Sequence, residues 1–311
     1  RQLTNSDLHP LLCGVALKKS AERGCVIVAK KVKEGRKLKS LPPYNKISPY
    51  IMVLRNDAQN FIRDSINVDK AEEYIRKKRN EGLRGFGMLH LLVASYVRTV
   101  SQRPAINRFI RGQRVHARNC IEVMLTIKKE ISLDSPDTCL KLLFRPEFTA
   151  DEVYAVIQNA IDESRGDETD FDGLAKALNY IPGLFMKATV SFLKTMDYFG
   201  LVPRKLTLLS PFHGSMAITS MGSLGIPPIY HHLYNFGNIP VFIAFGAKYF
   251  KNELKLDGTV ERNKYIDYTV VTDERICDGF YFASALKVLK DCLYNPDKLD
   301  TPPETVLEDI R

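Results

Sequence analysis

Residues 273–279 read Asp-Glu-Arg-Ile-Cys-Asp-Gly, and they join two segments of different periodicity. The residues before them, 264–272, are rich in β-branched and aromatic side chains, which predicts a strand. The residues after them, 278–293, repeat apolar side chains at helical spacing. That apolar face consists of Phe282, Leu286, Leu289 and Leu293. The stretch is therefore predicted to be a strand-to-helix junction, and its charged side chains make it a candidate site.

Other local signals extend a mixed α/β pattern outward from this junction. Asp257-Gly258 is a dipeptide typical of hairpin turns, so it predicts a second strand paired with 264–272. Further strands are predicted at 121–127 and 140–143. Helices are predicted at 69–82, 86–101, 173–180 and 184–199, and the acidic segment 166–172 predicts a solvated loop. The helix at 184–199 is apolar, but its charged side chains argue against a membrane span.

Two segments have the pattern of a capping box, in which a side chain at each end of the first helical turn satisfies a backbone N–H of the other. Asp69 with Glu72 predicts one such start. Thr149 with Glu152 predicts another, for a helix that buries Val153 and other apolar side chains.

Between Lys205 and Lys248 the chain has no Asp, Glu, Lys or Arg over 42 residues. Four prolines and five glycines within this stretch exclude a membrane-spanning helix. We interpret it as strands and turns that are buried on both sides, either in the core or against another subunit.

The motifs in this sequence resemble those of the chloramphenicol acetyltransferase-like superfamily, and in particular the catalytic domain of 2-oxo acid dehydrogenase dihydrolipoyl acyltransferases. That domain carries D-H-R-x-x-D-G at the junction, and this chain keeps Asp273, Arg275, Asp278 and Gly279. The likeness extends over 43–296 and includes a P-x-x-N segment at 104–107. Glu274 stands at the position of the catalytic histidine. Small bacterial proteins of the family share T-D-E-R-I-C-D-G, so we regard this glutamate as native.

The resemblance implies a two-layer α/β (α+β) sandwich with a mixed, mostly antiparallel sheet and flanking helices. It further implies acyl transfer between a coenzyme A thioester and a thiol or hydroxyl acceptor, at a site between the subunits of a homotrimer. A larger enzyme complex is a further implied partner. In such a reaction a base takes the acceptor's proton and a hydroxyl stabilises the tetrahedral oxyanion.

Individual site residues follow from the resemblance. Residues 217–222 resemble the family's T-I-S-N-L-G strand, which assigns oxyanion stabilisation to Thr219. Ser220 and Arg275 are assigned to coenzyme A binding. Asp278 takes the family's structural position, in which the aspartate fixes the loop through an arginine, and Arg55 is our candidate for that arginine. The alternative for Thr219 is an ordinary β-branched strand residue.

Because Glu274 stands at the position of the histidine, the identity of the catalytic base is open, and so is the presence of catalytic activity. An ordinary carboxylate, with a pKa of about 4.3, is a weak base toward a thiol of about 8.5, although burial can raise a carboxylate pKa by several units. Three histidines in the charge-free stretch, His213, His231 and His232, are alternative bases. The competing hypothesis is a non-catalytic trimeric scaffold in which the site has been retired.

Charge and composition set the remaining expectations. Residues 1–40 hold ten Lys and Arg against three Asp and Glu, so they carry +7 of the net +9. We therefore divide the chain into a basic extension of uncertain order at 1–42, the acyltransferase-like domain at 43–298 and a tail at 299–311. Because the first 40 residues contain no aromatic side chain and the domain is nearly neutral, we predict no specific nucleic-acid binding.

Several sites are predicted to be absent. Six dispersed cysteines indicate reduced thiols and a cytoplasmic protein, and no secretory signal or membrane span is predicted. Asp69-Lys70-Ala71 matches a lipoyl attachment motif, but it opens a predicted helix instead of a hairpin, so we expect no lipoyl group on this chain. The pair His231-His232 lacks the flanking ligands of a metal site, so no metal is predicted.

Overall fold

A computed structural model describes residues 33–128, 137–166, 173 and 179–311. The described part contains nine strands and seven α-helices. The strands are β1 (Gly35–Lys37), β2 (Gln59–Asn67), β3 (Arg108–Arg111), β4 (Arg114–Arg118), β5 (Ile121–Lys128), β6 (Asp137–Phe144), β7 (Met216–Ser220), β8 (Val241–Leu254) and β9 (Val260–Asp273). The helices are α1 (Pro43–Ile51), α2 (Asp69–Asn80), α3 (Met88–Gln102), α4 (Ala150–Gly166), α5 (Gly183–Phe199), α6 (Arg204–Leu209) and α7 (Gly279–Tyr294).

The main sheet has six strands in the order β2-β9-β8-β7-β5-β6. Only the two pairs that involve the short central strand β7 are parallel, and the other neighbours are antiparallel. A second antiparallel sheet has the order β1-β4-β3. This arrangement confirms the predicted mixed, mostly antiparallel α/β fold.

Helix α3 lies at the centre of the helical layer that covers one face of the main sheet. Twelve of its fifteen residues are buried, and it packs against α7 and α4. Its apolar side chains join those of β5, β7, β8 and β9 in one core cluster. A helix that is apolar nearly all round is stable only when other elements surround it, and here the sheet and two helices do so.

Two local predictions are confirmed by the backbone hydrogen bonds. Strands β8 and β9 form the predicted hairpin, and Gly258 at its turn has a φ of 83°. The start of α4 is the predicted capping box, because Glu152 Oε2 accepts from Thr149 N at 2.9 Å and Thr149 Oγ1 accepts from Glu152 N at 3.4 Å.

The other predicted capping box is wrong. Helix α2 is present, but its N-cap is Val68, and no side chain caps it. The Asp69 carboxylate instead accepts a hydrogen bond from Lys264 N at 3.1 Å and so connects the helix to β9. A contact with a strand almost 200 residues away replaces the local one.

The segment predicted as a C-terminal tail packs against the domain and against residues 33–42. Asp309 accepts two hydrogen bonds from the buried Arg108, at 2.7 and 2.6 Å. The carbonyl of Arg311 accepts from Lys39 N and Ser40 N. Most of the predicted basic extension, residues 167–172 of the predicted loop and most of the predicted helix at 173–180 lie outside the described residues.

Helix α5 confirms the prediction at 184–199, but none of its residues is buried in the single chain. Phe185, Phe192 and Phe199 recur every seven residues and are 64%, 63% and 67% exposed. Its carboxyl end is held by Tyr198 Oη, which donates to Gln113 Oε1 at 2.9 Å. Among the described residues, no helix combines the length and apolar character needed to cross a bilayer.

The charge-free stretch is buried only in part. Strand β7 and the first half of β8 lie inside the sheet, as predicted. The connection between them is different, because Leu224, Ile229 and Tyr230 are each about half exposed. The strands therefore lie in the core, and burial of this connection against another subunit stays a prediction.

Candidate functional site

The junction between β9 and α7 is organised by Asp273, which is 1% exposed. Its carboxylate accepts from Arg275 Nε at 2.8 Å and Nη2 at 2.7 Å, and from Arg55 Nε at 3.3 Å. Both arginines are buried as well, and burial lowers the pKa of Arg55 while the Asp273 charge opposes that shift. One carboxylate thus binds two guanidinium groups inside the protein.

The two arginines extend this contact to the backbone of neighbouring loops. Arg275 Nη1 donates to the carbonyl of Met52 at 2.8 Å, and Arg55 Nη2 donates to that of Gly237 at 2.7 Å. Gly237 has a φ of 80°, and a Cβ there would lie 2.0 Å from the carbonyl oxygen of Phe212. Only glycine fits this close approach, so the loop that Arg55 holds has a fixed course.

Two predictions for this junction are corrected. Arg55 does not pair with Asp278, because its partner is Asp273; Asp278 is exposed, and its Oδ1 caps α7 by accepting from Tyr281 N at 2.8 Å. The contact that the structure shows for this carboxylate is thus with a backbone N–H at the start of α7, and its predicted structural role stays a prediction. Arg275 is 3% exposed and bound to Asp273, so its predicted contact with coenzyme A does not fit its position.

Glu274 is exposed at one end of a cleft of about 330 Å³ between β2 and α7. Its backbone N–H donates to the carbonyl of Ala58 at 2.8 Å, which fixes the main chain while the carboxylate stays accessible. The cleft is lined by Asn60, Phe61, Ile62, Thr272, Glu274, Cys277, Gly279, Phe282, Ala283 and Leu286.

Thr219 and Ser220 lie at the end of β7 and line a larger cavity of about 710 Å³. The register explains this position, because Thr219 pairs with Ala244 of β8 at the point where β7 ends and the chain turns away. His231 and His232 from the following connection line the same cavity. A hydroxyl and imidazole groups therefore meet in one space whose other walls are largely apolar.

The two cavity histidines differ in environment. The His231 ring stacks on Phe242, with a centroid separation of 4.4 Å and an interplanar angle of 10°. Burial, and next the neighbouring His232, lower the pKa of His231, which favours the neutral form that can accept a proton. Within the described chain its Nε2 is buried without a hydrogen-bond partner. His232 is exposed and meets Tyr234 edge to face at 4.8 Å.

His213 is not brought into this cavity. It is 1% exposed, its Nδ1 lies 2.8 Å from Ser210 Oγ, and its Nε2 lies 3.2 Å from Asp197 Oδ1 of α5. The predicted role of His213 as a base does not fit this position, because the ring lies outside the cavity, next to Ser210 and Asp197.

The structure therefore divides the predicted site residues of a single chain into two groups. Thr219, Ser220, His231 and His232 share the larger cavity, whereas Glu274 lies in the separate cleft.

Sequence reasoning missed the role of Asp273, although an aspartate two residues before an arginine in a buried strand end was an available signal. In the described part of the chain, no three His, Cys, Asp or Glu side chains are grouped to hold a metal ion.

Three solved structures with a similar fold are named as acyltransferases. A probable dihydrolipoamide acetyltransferase from Listeria monocytogenes aligns with a TM-score of 0.54 over 83% of this chain and 94% of that one, at 11% identity. The dihydrolipoamide acetyltransferase of Azotobacter vinelandii gives a TM-score of 0.55 over 85% and 94%, at 11% identity. A chloramphenicol acetyltransferase gives 0.51 over 80% and 94%, at 14% identity.

No family model matches the chain, and no curated protein sequence matches it. The structural likeness establishes the class of fold. The chain has the chloramphenicol acetyltransferase-like fold, shared with the catalytic domains of dihydrolipoamide acetyltransferases. The predicted resemblance is confirmed at this level.

Proposed function

We propose that this chain is an acyltransferase that moves an acyl group between a coenzyme A thioester and a thiol or hydroxyl acceptor. The observation that carries the proposal is the cavity of about 710 Å³ in which Thr219 and Ser220 meet His231 and His232. Its volume and apolar walls suit a small acyl chain and the thioester arm. In this proposal Thr219 Oγ1 donates to the developing oxyanion, and Ser220 contacts the coenzyme.

The base in this proposal is either a carboxylate or an imidazole. The first is Glu274, at the position where the related acyltransferases have histidine. The second is His231, which shares the cavity with Thr219 and whose lowered pKa favours the neutral form. His232 in the same cavity is the alternative imidazole. A neutral imidazole matches a thiol or hydroxyl proton better than an ordinary carboxylate does.

The Azotobacter enzyme was studied for the roles of a serine, a histidine and an asparagine in its catalytic mechanism, and the latter two lie four residues apart. Glu274 and Asp278 have the same spacing, and Thr219 and Ser220 provide the hydroxyl groups. The comparison supports the assignment of the junction and the end of β7 to one reaction. The replacement of histidine by glutamate favours altered or reduced catalysis.

We further propose that the complete site forms between the subunits of a homotrimer. The support is that Glu274 and Thr219 lie in separate cavities of one chain, while α5 and the connection after β7 expose large apolar side chains. Large exposed apolar patches are typical of interfaces between proteins. The partner that we propose for this trimer is a larger multienzyme assembly.

The alternative is a non-catalytic trimeric scaffold, and the glutamate at the position of the family's catalytic histidine favours it. Thioester consumption by the purified protein, measured across acyl-coenzyme A donors, separates the two functions. For the enzyme, we expect Thr219→Val to lower turnover by about a hundredfold. Glu274→Gln and His231→Gln then identify the base, because only the variant that removes the base abolishes activity.

Activity that appears only in Glu274→His would identify the wild-type chain as a scaffold. Thioester turnover that Thr219→Val leaves unchanged would contradict the proposed oxyanion contact. Thr219→Ser is the matched control, because it keeps the hydroxyl and should keep most of the activity.

A further inference from the structure

The cleft beside Glu274 has an unusual balance of charge. Among the described residues that line it, Glu274 is the one carboxylate and there is no Lys, Arg or His. The nearby guanidinium groups of Arg55 and Arg275 are buried and are directed toward Asp273 and backbone carbonyls. The charge that the cleft presents to a ligand is therefore negative.

Thr272 adds an unsatisfied polar atom to this cleft. The residue is 3% exposed, and within the described chain its Oγ1 is buried without a hydrogen-bond partner. Asn60 lies directly opposite in the β2–β9 pair, so both side chains project from the same face of the sheet. A buried hydroxyl without a partner is costly, and a ligand that supplies the missing hydrogen bond removes the cost.

The remaining walls of the cleft are apolar. Ile62 of β2 lies on the same face of the sheet as Asn60, and Phe282 and Leu286 come from α7. The cleft thus combines oxygen atoms from Glu274, Thr272 and Asn60 with an apolar wall.

We propose that this cleft binds a primary ammonium group attached to an apolar body, and that this amine is an acyl acceptor of the protein. An ammonium carries three N–H donors and one positive charge, which matches a carboxylate together with neutral oxygen acceptors. The acceptor assignment rests on the proposed acyltransferase function, whereas the binding assignment stands on the cleft alone.

The corresponding reaction is balanced without a further reactant. The ammonium loses one proton to solvent, and the neutral amine nitrogen attacks the thioester carbonyl. A C–N bond forms, the C–S bond breaks, and the nitrogen loses its second proton. The products are an amide and the free coenzyme A thiol, which takes up one of the two protons while the other passes to solvent.

Fluorine NMR titration of the full chain with three probes of the same shape tests the binding. The probes are para-fluorobenzylamine, para-fluorobenzyl alcohol and para-fluorobenzoate, at neutral pH. We expect the amine to bind more tightly than the other two. Glu274→Gln should weaken amine binding by at least about tenfold, because it removes the charge and keeps the shape. Glu304→Gln is the control, since it removes an exposed carboxylate outside the cleft.

Thr272→Val is a second, independent variant that keeps the side-chain shape and removes only the unpaired hydroxyl. It should weaken amine binding and leave the denaturant midpoint unchanged or raised. The proposal is overturned if the alcohol or the benzoate binds as tightly as the amine, or if no amine binding is detected. It is also overturned if Glu274→Gln or Thr272→Val binds the amine as the wild type does.

Thioester consumption separates this result from the proposed function. Selective amine binding without turnover of any acyl donor contradicts the acyltransferase function and leaves the binding site in place. Turnover with a thiol or hydroxyl acceptor but without amine binding supports the enzyme and overturns the amine proposal. Amide formation that Glu274→Gln abolishes supports both.

Discussion

Asp273 lies buried between Arg55 and Arg275, and its bond to Arg55 joins two segments that are far apart in the sequence. Asp273→Asn removes the charge that both guanidinium groups need, so two buried cations would lose their counterion. We expect a loss of about 3–5 kcal/mol in the free energy of unfolding, measured by denaturant titration. Asp297→Asn removes a 73% exposed partner of Lys77 and should cost less than about 1 kcal/mol. Equal losses would contradict the assigned role of Asp273.

His90 gives a second prediction at the scale of one residue. Burial, and next the charge of Arg79, lower its pKa to about 4, and Gly87 N donates to its Nδ1 at 3.1 Å. Between pH 7 and pH 5 the unfolded chain gains a proton that folded His90 does not take up. The free energy of unfolding should therefore decrease as the pH is lowered from 7 to 5, by about 1–2 kcal/mol from this group.

The readout is the difference in slope between wild type and His90→Gln, because His116 and His231 have lowered pKa values too. Glutamine can still accept the hydrogen bond from Gly87, so the variant should fold and show a shallower pH dependence. Identical slopes from pH 7 to pH 5 would show that His90 takes up its proton equally in the folded and unfolded states.

At the scale of elements, α5 is an apolar helix without a covering layer in the single chain. The stripe of Phe185, Phe192 and Phe199 should be covered in the proposed trimer, so Phe192→Glu would bury a carboxylate there. We expect the variant to remain folded and its dissociation constant to rise by at least about a hundredfold, measured by sedimentation.

Lys187→Glu is the matched control on the opposite side of α5, and its assembly should be unchanged. A wild-type chain that sediments as a monomer at micromolar concentration would contradict the covered stripe. A Phe192→Glu variant that assembles like the wild type would exclude this face from the interface.

Elements whose signals are local could be predicted from the sequence, and those set by distant contacts could not. The capping box of α4 and the turn at Gly258 are fixed by neighbours within a few residues, so their patterns were sufficient. Asp69 has the same pattern as Thr149, but the backbone of Lys264 competes for its carboxylate. Arg55 and Asp273 are 218 residues apart, and no repeating pattern in the sequence indicates that they pair.

The candidate site follows the same rule. Thr219 and Glu274 could be selected because their neighbouring residues resemble known motifs. That His231 shares the cavity of Thr219 while His213 binds Asp197 depends on how the connection after β7 folds back. The unpaired hydroxyl of Thr272 is invisible in sequence, because threonine is an ordinary strand residue.

At the scale of the whole molecule, a site formed by two subunits predicts that two inactive variants can restore activity to each other in a mixed assembly. Glu274→Gln and Thr219→Val should each be inactive if both residues are essential. When the two variants are unfolded together and reassembled, about a quarter of the interfaces should combine one intact residue from each chain, and activity should return in that proportion.

Thioester turnover of the mixed assembly, compared with each variant treated alone, provides the measurement. A mixture as inactive as its components, despite mixed trimers confirmed by mass spectrometry, would assign both residues to one chain. A wild-type sample taken through the same procedure controls for the yield of reassembly.

The position of β2 within the sheet also affects the order of events during synthesis. Its single neighbour in the main sheet is β9, and Arg55 just before β2 binds Asp273 at the end of that strand. These two positions are 218 residues apart, a distance that a ribosome takes roughly 10–40 s to translate. During that interval the nascent β2 lacks its partner β9 and Arg55 lacks the Asp273 carboxylate, so this part of the sheet can form only after β9 has been synthesised.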